Sequence, residues 1–168
     1  MYDTILVPLD GSDLAEAILP HVEQLASVYG STVVLVSIIE LLHMLNPRTE
    51  MAYDNLPTTS CQEMEDRAVE IQTYLNRQVE KLGEHGIRTR TRVEYGPVVA
   101  TILHAAQHEN AGLIAMASHG RGGLTDVYYG SVAAGILQRI DRPLLIVRAQ
   151  REQENKDWDL TSIAEAPA

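Results

Sequence analysis

The chain contains 168 residues, of which 45% are hydrophobic and 21% are charged, and its formal net charge at pH 7 is −10. This length allows one substantial core but not two ordinary domains, and the composition is typical of a globular protein. The negative charge argues against DNA or RNA as a partner, because it repels polyanions. No apolar run reaches the roughly 18–20 residues of a membrane helix, and the first residues do not form a secretory signal. With Cys61 as the single cysteine, we expect a cytoplasmic protein with no intramolecular disulfide and no membrane association.

The first part of the chain predicts two buried strands separated by a helix. Residues 5–9 (ILVPL) form a short apolar strand, and residues 10–13 (DGSD) supply a turn and a helix N-cap. Apolar residues then recur at helical spacing up to Gly30, with a kink expected at Pro20. Residues 32–39 (TVVLVSII) are rich in β-branched side chains, which predicts an interior parallel strand.

The second part continues the alternation of helices and strands. Residues 40–60 show no clear period and predict a surface excursion. The elements predicted after it are a long helix with apolar positions from 64 to 82 that ends at Gly83 and Gly86, an edge strand over 88–94, a helix with Pro97 as its first residue, a strand over 113–117, a glycine-rich loop over 118–123, a helix over 132–140 and a strand over 144–147.

This order of elements predicts an α/β fold, a five-stranded parallel sheet wound on both sides by helices. We expect one domain over residues 1–148 and an acidic C-terminal tail over residues 149–168, since the tail is polar and has no sustained period. The ligand of such a sheet binds at the carboxyl ends of the strands, where the strand order reverses. The turns after the first and fourth strands are therefore the candidate binding segments.

Two features near the fourth strand are suited to an anion. Gly120, Gly122 and Gly123 allow close approach of the backbone, and Gly130-Ser131 precede an apolar helix that Ser131 is expected to cap. Neither of the two lysines follows a glycine, which excludes the phosphate-binding loop that depends on a lysine. The same features are also typical of ordinary turns, so the residues alone leave phosphate binding and a purely structural role equally open.

Three segments in order resemble the universal stress protein family. They are the first strand with its turn (ILVPLDGS, residues 5–12), the segment from Ala117-Ser118-His119-Gly120 to Gly130-Ser131, which resembles the nucleotide motif G-x2-G-x9-G-[ST], and RPLLIV at residues 142–147. The resemblance covers residues 2–148. It implies strand order 3-2-1-4-5, binding of ATP or of ADP or AMP, with or without Mg²⁺, and a homodimer formed through the edge strand Leu144–Val147.

The resemblance also implies a set of site residues. Pro8, Asp10 and Ile38 would border adenine and ribose, and Met116 and Ala117 would line the base and sugar. Gly120, Gly130, Ser131 and Val132 would hold the phosphates. His119 belongs to the motif loop, and a structural role is favoured for it over a catalytic one. For Arg121 in the same loop, pairing with a terminal phosphate and simple exposure to solvent are equally open. Ala117 replaces the first glycine of the motif, and Gly112 stands where the family often has Asp.

The function implied is that of a nucleotide-binding stress-response or signalling protein in which the nucleotide tunes conformation or partner binding. We expect no catalytic residues and at most slow ATP hydrolysis, because no carboxylate and histidine pair and no P-loop lysine is present. His104 and His108 have zinc-binding spacing but no third ligand, so no metal site is predicted. The alternatives are a structural dimer that binds no nucleotide and a weak ATP hydrolase of a related adenine-nucleotide fold.

Overall fold

A computed structural model describes residues 1–40, 58–119 and 130–149 of the chain. In these ranges five strands alternate with five helices. The strands are β1 (Thr4–Pro8), β2 (Thr32–Ile39), β3 (Arg88–Tyr95), β4 (Leu113–His119) and β5 (Leu144–Ala149). The helices are α1 (Asp13–Glu16), α2 (Leu19–Tyr29), α3 (Thr58–Glu84), α4 (Val98–His108) and α5 (Ser131–Leu137).

The strands form one parallel sheet in the order β3-β2-β1-β4-β5, which confirms the predicted fold class and strand order. Strand β1 lies in the centre, where Ile5 is in register with Val33 of β2 on one side and with Leu113 of β4 on the other. The chain moves outward from β1 through β2 and β3, and then returns to place β4 on the opposite side of β1. The strand order therefore reverses between β1 and β4, and the carboxyl ends of these two strands meet there.

The sheet separates two buried layers. Successive residues of a strand point to opposite faces, and in β1 both Ile5 and Leu6 are fully buried, which is typical of a parallel sheet covered on both sides. Ile5 packs with residues of α2 and α3, such as Val22 and Leu75. Leu6 belongs to the other layer, whose buried helical members are Ile102, Ala105 and Ala106 from α4 and Ala133 and Ile136 from α5.

The predicted kinked helix after β1 is in fact two helices. Ser12 caps α1 by accepting a hydrogen bond from the amide of Ala15 (3.2 Å), and α1 ends after Glu16. Pro20 lies in the first turn of α2, where its missing N–H costs no helical hydrogen bond. Proline thus starts a new helix here, and the prediction of a kink within one helix was wrong.

Several predicted boundaries also need correction. Helix α3 begins at Thr58, so the end of the predicted 40–60 excursion is helical, while residues 41–57 lie outside the described residues. Gly83 lies inside α3, and it is Gly86, with φ of 75°, that occupies the turn after the helix. Pro97 is the N-cap of α4 and not its first helical residue.

The later elements differ in length from the predictions. Strand β4 continues through Ser118 and His119, which were predicted to be in a loop, and β5 continues to Ala149. Helix α5 ends at Leu137 and not at residue 140. No helix in the described ranges is long and apolar enough to cross a membrane. The predicted tail beyond residue 149 lies outside the described residues, and its separation from the domain stays a prediction.

Candidate functional site

A cavity of about 250 Å³ opens where the strand order reverses, at the carboxyl ends of β1 and β4. Strands β1, β2 and β4, the turn after β1 and helices α1, α4 and α5 all contribute to its wall. The lining residues are Pro8, Leu9, Asp10, Ser12, Leu14, Ala15, Ile38, Val98, Ile102, Met116, Ala117, Ser118, Gly130, Ser131, Val132 and Ala133. The cavity therefore joins the two segments that sequence analysis singled out, although they are far apart in the chain.

Most of the predicted site residues line this cavity. They are Pro8, Asp10, Ile38, Met116, Ala117, Gly130, Ser131 and Val132. The backbone of His119 ends β4, but its side chain is outside the described part of the structure, as are Gly120 and Arg121. Residues 120–123 of the predicted glycine-rich loop also lie there, as does the side chain of Cys61.

The turn after β1 fixes the orientation of Asp10 at the cavity. Gly11 has φ of 84°, a left-handed conformation that glycine adopts without strain. One oxygen of Asp10, Oδ1, accepts hydrogen bonds from the amide of Ser12 (2.9 Å) and from its hydroxyl (2.6 Å). The second oxygen, Oδ2, has no hydrogen bond to the described residues. Asp10 thus orients Ser12, the N-cap of α1, through one of its two carboxylate oxygens.

The opposite wall is formed where β4 ends and α5 begins. Gly130 is the N-cap of α5, with φ of −64° and ψ of 161°, and Ser131 is the first helical residue. The prediction that Ser131 caps this helix was therefore wrong by one position. The hydroxyl of Ser118, a buried residue of β4, accepts a hydrogen bond from the amide of Gly130 (3.1 Å). Ser118 was not among the predicted site residues, although its spacing from Ile114 and Met116 puts it on the same face of β4.

The described wall of the cavity is mainly apolar, with few polar groups. Leu9, Ile102 and Met116 are buried there, and Asp10 is the one charged residue among the described lining residues. Nor does any group of three His, Cys, Asp or Glu side chains in the described ranges form a metal site. Such a wall suits a largely apolar ring system held by a few oriented polar atoms.

A second cavity, of about 380 Å³, lies beside α3 and shares Asp10 with the first. Its other lining residues include Arg67, Tyr74 and Arg77. Burial, followed by the nearby charge of Glu16, raises the pKa of Tyr74, so this phenol stays neutral at physiological pH. Residues of both motif segments line the first cavity, whereas only the first segment reaches this one, so the first cavity is the better candidate for a ligand site.

The two histidines with zinc-binding spacing do not form a site in the described structure. His104 and His108 are both exposed on α4, away from the cavity. The Nδ1 atom of His108 lies 2.8 Å from an Arg92 nitrogen and 3.5 Å from a Glu109 carboxylate oxygen. An arginine neighbour is unsuited to a bound cation, which argues against zinc there.

Comparison with known proteins decides the family. The family model of the universal stress proteins matches residues 1–148. The chain belongs to the universal stress protein family. It is 25% identical over 162 residues to universal stress protein MJ0577 of Methanocaldococcus jannaschii, a match that covers 88% of this chain and 96% of the relative.

Solved structures of other universal stress proteins share the fold. The structure of MJ0577 matches with a TM-score of 0.75 at 22% identity and covers 91% of this chain and 99% of that chain. A universal stress protein in complex with cAMP matches with a TM-score of 0.63 at 18% identity, covering 89% of this chain and 98% of that one. The protein of Archaeoglobus fulgidus in complex with dAMP gives 0.61 at 18% identity, with coverages of 86% and 97%.

Proposed function

We propose that this universal stress protein binds an adenine nucleotide in the cavity between β1 and β4. The observation that supports this most is that the cavity joins Pro8 and Asp10 of the first motif to Ala117 and Gly130 of the second. Two related structures are complexes with adenine nucleotides, one with cAMP and the other with dAMP. ATP, ADP and AMP are therefore the first ligands to test, with and without Mg²⁺.

In this proposal each wall recognises a different part of the nucleotide. The apolar side chains of Ile38 and Met116 cover the base, and Oδ2 of Asp10 accepts hydrogen bonds from ribose hydroxyls. Gly130, Ser131 and Val132 lie at the phosphate end, where the backbone amides at the beginning of α5 donate to phosphate oxygens. In place of the usual motif glycine, Ala117 adds one methyl group to the wall near the sugar.

The proposed role is binding, with the nucleotide acting on conformation or partner choice. Asp10 is the single ionisable side chain among the described lining residues, and its Oδ1 atom already accepts two hydrogen bonds. Phosphoryl transfer requires positioned cations at the leaving phosphate, and neither lysine of the sequence follows a glycine, as the lysine of a phosphate-binding loop does. A bound nucleotide instead stabilises the binding-competent state by RT ln(1 + [L]/Kd), which shifts the population toward that state.

The experiment combines direct binding with one pair of variants. Isothermal calorimetry of the full chain with ATP, ADP, AMP and cAMP measures affinity, and mass spectrometry identifies any nucleotide released on denaturation. We expect Gly130→Leu, which places a side chain in the cavity wall, to weaken binding at least about tenfold, equivalent to about 1.4 kcal/mol. Gly83→Leu is the control, because a Cβ at Gly83 of α3 meets no atom within 4 Å. It should keep the affinity of the parent.

The result that overturns the proposal is equally direct. If the folded parent chain gives no heat with any of these nucleotides and releases none on denaturation, the cavity is not an adenine-nucleotide site. The function to consider would then be the alternative one, that of a structural dimer that binds no nucleotide. If Gly130→Leu and Gly83→Leu lose affinity equally, the nucleotide binds elsewhere.

We also propose that the protein is a homodimer paired through β5. This strand lies at the edge of the sheet, and Leu144, Leu145, Ile146 and Val147 are only partly buried in the single chain. An apolar edge strand with free backbone groups is a template for pairing with another strand, and a two-fold dimer protects it.

A further inference from the structure

The hydroxyl of Ser118 links the two chain segments that form one end of the cavity. Ser118 is only 4% exposed, and its residue in β4 is in register with Arg148 of β5, which fixes its backbone in the sheet. Among hydrogen bonds between described residues, the bond to the amide of Gly130 is the one that joins the end of β4 to the beginning of α5. Both residues line the cavity.

We propose that Ser118 is a positioning residue for the nucleotide site, an inference that rests on the proposed function. Helix α5 has seven residues, and Val132, Ala133 and Ile136 pack it against the buried layer. Gly130 has no side chain and Ser131 is exposed, so neither residue is held at the cavity wall by packing of its own side chain. The Ser118 hydroxyl supplies an attachment for them from a rigid strand.

The bond also fixes the beginning of α5 relative to the end of β4. Without it, the first residues of α5 would sample more conformations before binding, and ordering them would reduce the free energy of nucleotide binding. A buried hydrogen bond of this kind contributes modestly to a free energy, so its loss should weaken nucleotide binding by about three- to tenfold. The loss should appear in the affinity more than in global stability.

The experiment compares three serine variants of the full chain. Ser118→Ala removes the acceptor, and Ser118→Thr keeps a hydroxyl on a residue that suits a strand. Ser37→Ala is the matched control, because Ser37 is 3% exposed near the end of β2 but does not line the nucleotide cavity. Two quantities are measured, the affinity for ATP and AMP by calorimetry and the exchange rate of the Gly130 amide hydrogen by NMR in the ligand-free protein.

We expect Ser118→Ala to accelerate exchange of the Gly130 amide and to lose about three- to tenfold in affinity. Ser118→Thr should restore both quantities, and Ser37→Ala should change neither. Unchanged Gly130 exchange in Ser118→Ala overturns the inference, even if affinity falls, since Ser118 would then contact the ligand directly. Faster exchange with unchanged affinity overturns it too. If the parent binds no nucleotide, the proposed function fails, and the positioning role fails with it whatever the exchange rate.

Discussion

At the scale of single residues, Gly135 shows how closely α4 and α5 pack against each other. A Cβ built on Gly135 would lie 2.8 Å from the Cγ2 atom of Val99, well inside normal contact. Val99 is β-branched and its χ1 angle is restricted, so it cannot easily rotate away. The absence of a side chain at Gly135 therefore sets the distance between the two helices that form one wall of the cavity.

We expect Gly135→Ala to lower the free energy of unfolding by about 1–3 kcal/mol, the usual cost of overpacking. Intrinsic helix propensity alone would predict the opposite result, a gain in stability, because alanine is favoured over glycine in a helix by about 0.8–1 kcal/mol. Urea denaturation of Gly135→Ala, Val99→Ala and the double variant measures the coupling between the two sites. The double variant should be more stable than the sum of the single changes implies.

Gly83→Ala is the matched control for this cycle, because a Cβ at Gly83 meets nothing within 4 Å. It should leave stability unchanged or raise it by a few tenths of a kcal/mol. A Gly135→Ala variant as stable as the parent would show that α4 and α5 separate at little cost, contrary to this account.

Single residues also mark the limit of what the sequence predicts about the site. Pro8, Asp10 and Met116 were placed near a ligand through the family resemblance, and they line one cavity. Ser118 was missed because its role depends on Gly130, twelve positions away, and no local pattern indicates which buried hydroxyl meets which amide. The N-cap of α5 was displaced by one residue for a related reason, since serine and glycine are both acceptable at an N-cap.

At the scale of elements, a group of charged side chains joins the edge strand β3 to the end of α4. Glu109 follows α4 and its side chain is 9% exposed. It pairs with Arg90 at 2.8 Å and with Arg92, which also contacts Glu94 and His108. Two arginines of the edge strand β3 therefore attach that strand to the end of a helix.

This ion pairing predicts a pH dependence of stability. Burial alone would raise the pKa of Glu109, but the hydrogen bond from Arg92 and the charges of Arg90 and Arg92 outweigh it and lower that pKa below its ordinary value of 4.5. A lowered pKa in the folded state contributes stability above pH 4.5, and this contribution is lost as the pH falls through the folded-state value. Arg92 correspondingly has a raised pKa, chiefly because of its hydrogen bond with Glu109.

We expect Glu109→Gln to lower the free energy of unfolding at pH 7 by about 1–2 kcal/mol, because charge-assisted hydrogen bonds are lost. The difference from the parent should shrink as the pH falls below 4.5. Denaturation curves at pH 7 and at about pH 3.5 measure it. Glu70→Gln is the control, since Glu70 is 70% exposed and pairs with Arg67 at the surface, where a salt bridge is worth about 0–1 kcal/mol. A difference between Glu109→Gln and the parent that persists undiminished in acid would contradict the argument.

The elements themselves were mostly predictable because apolar periodicity is a local signal. Strand β2 was predicted with its observed bounds, because a continuous run of apolar, mostly β-branched residues is typical of a parallel strand buried on both faces. The division of one predicted helix at Pro20 was not, because proline is compatible both with a kink and with the first turn of a new helix. Only the packing of α1 and α2 against the sheet decides between them.

At the scale of the whole molecule, the position of the site follows from the strand order. Periodicity predicts five strands and their parallel direction, but it does not indicate which strands are neighbours. The order came from the family resemblance, and the sheet confirms it. Because β1 and β4 are adjacent, turns separated by more than a hundred positions in the chain meet at the carboxyl ends of these two strands.

The same strand order leaves the backbone of β5 unpaired on one side in the single chain. The amide of Ile114 in β4 donates to the carbonyl of Pro143, so the backbone groups at odd positions of β5 face β4. Backbone groups alternate in direction along a strand. Those of Leu144 and Ile146 therefore point outward, where a second copy would pair.

This geometry gives a sharp test of the proposed dimer. We expect the parent chain to have twice its chain mass of 18.6 kDa in light scattering. Ile146→Pro removes an outward-facing N–H while leaving the bonds to β4 in place, so it should convert the dimer to a monomer. Ile146→Ala also loses the side chain but keeps the N–H, and it should remain largely dimeric. Circular dichroism verifies that both variants fold. A parent that is monomeric at every concentration excludes the dimer. An Ile146→Pro variant that stays dimeric would show that the interface is not formed by β5.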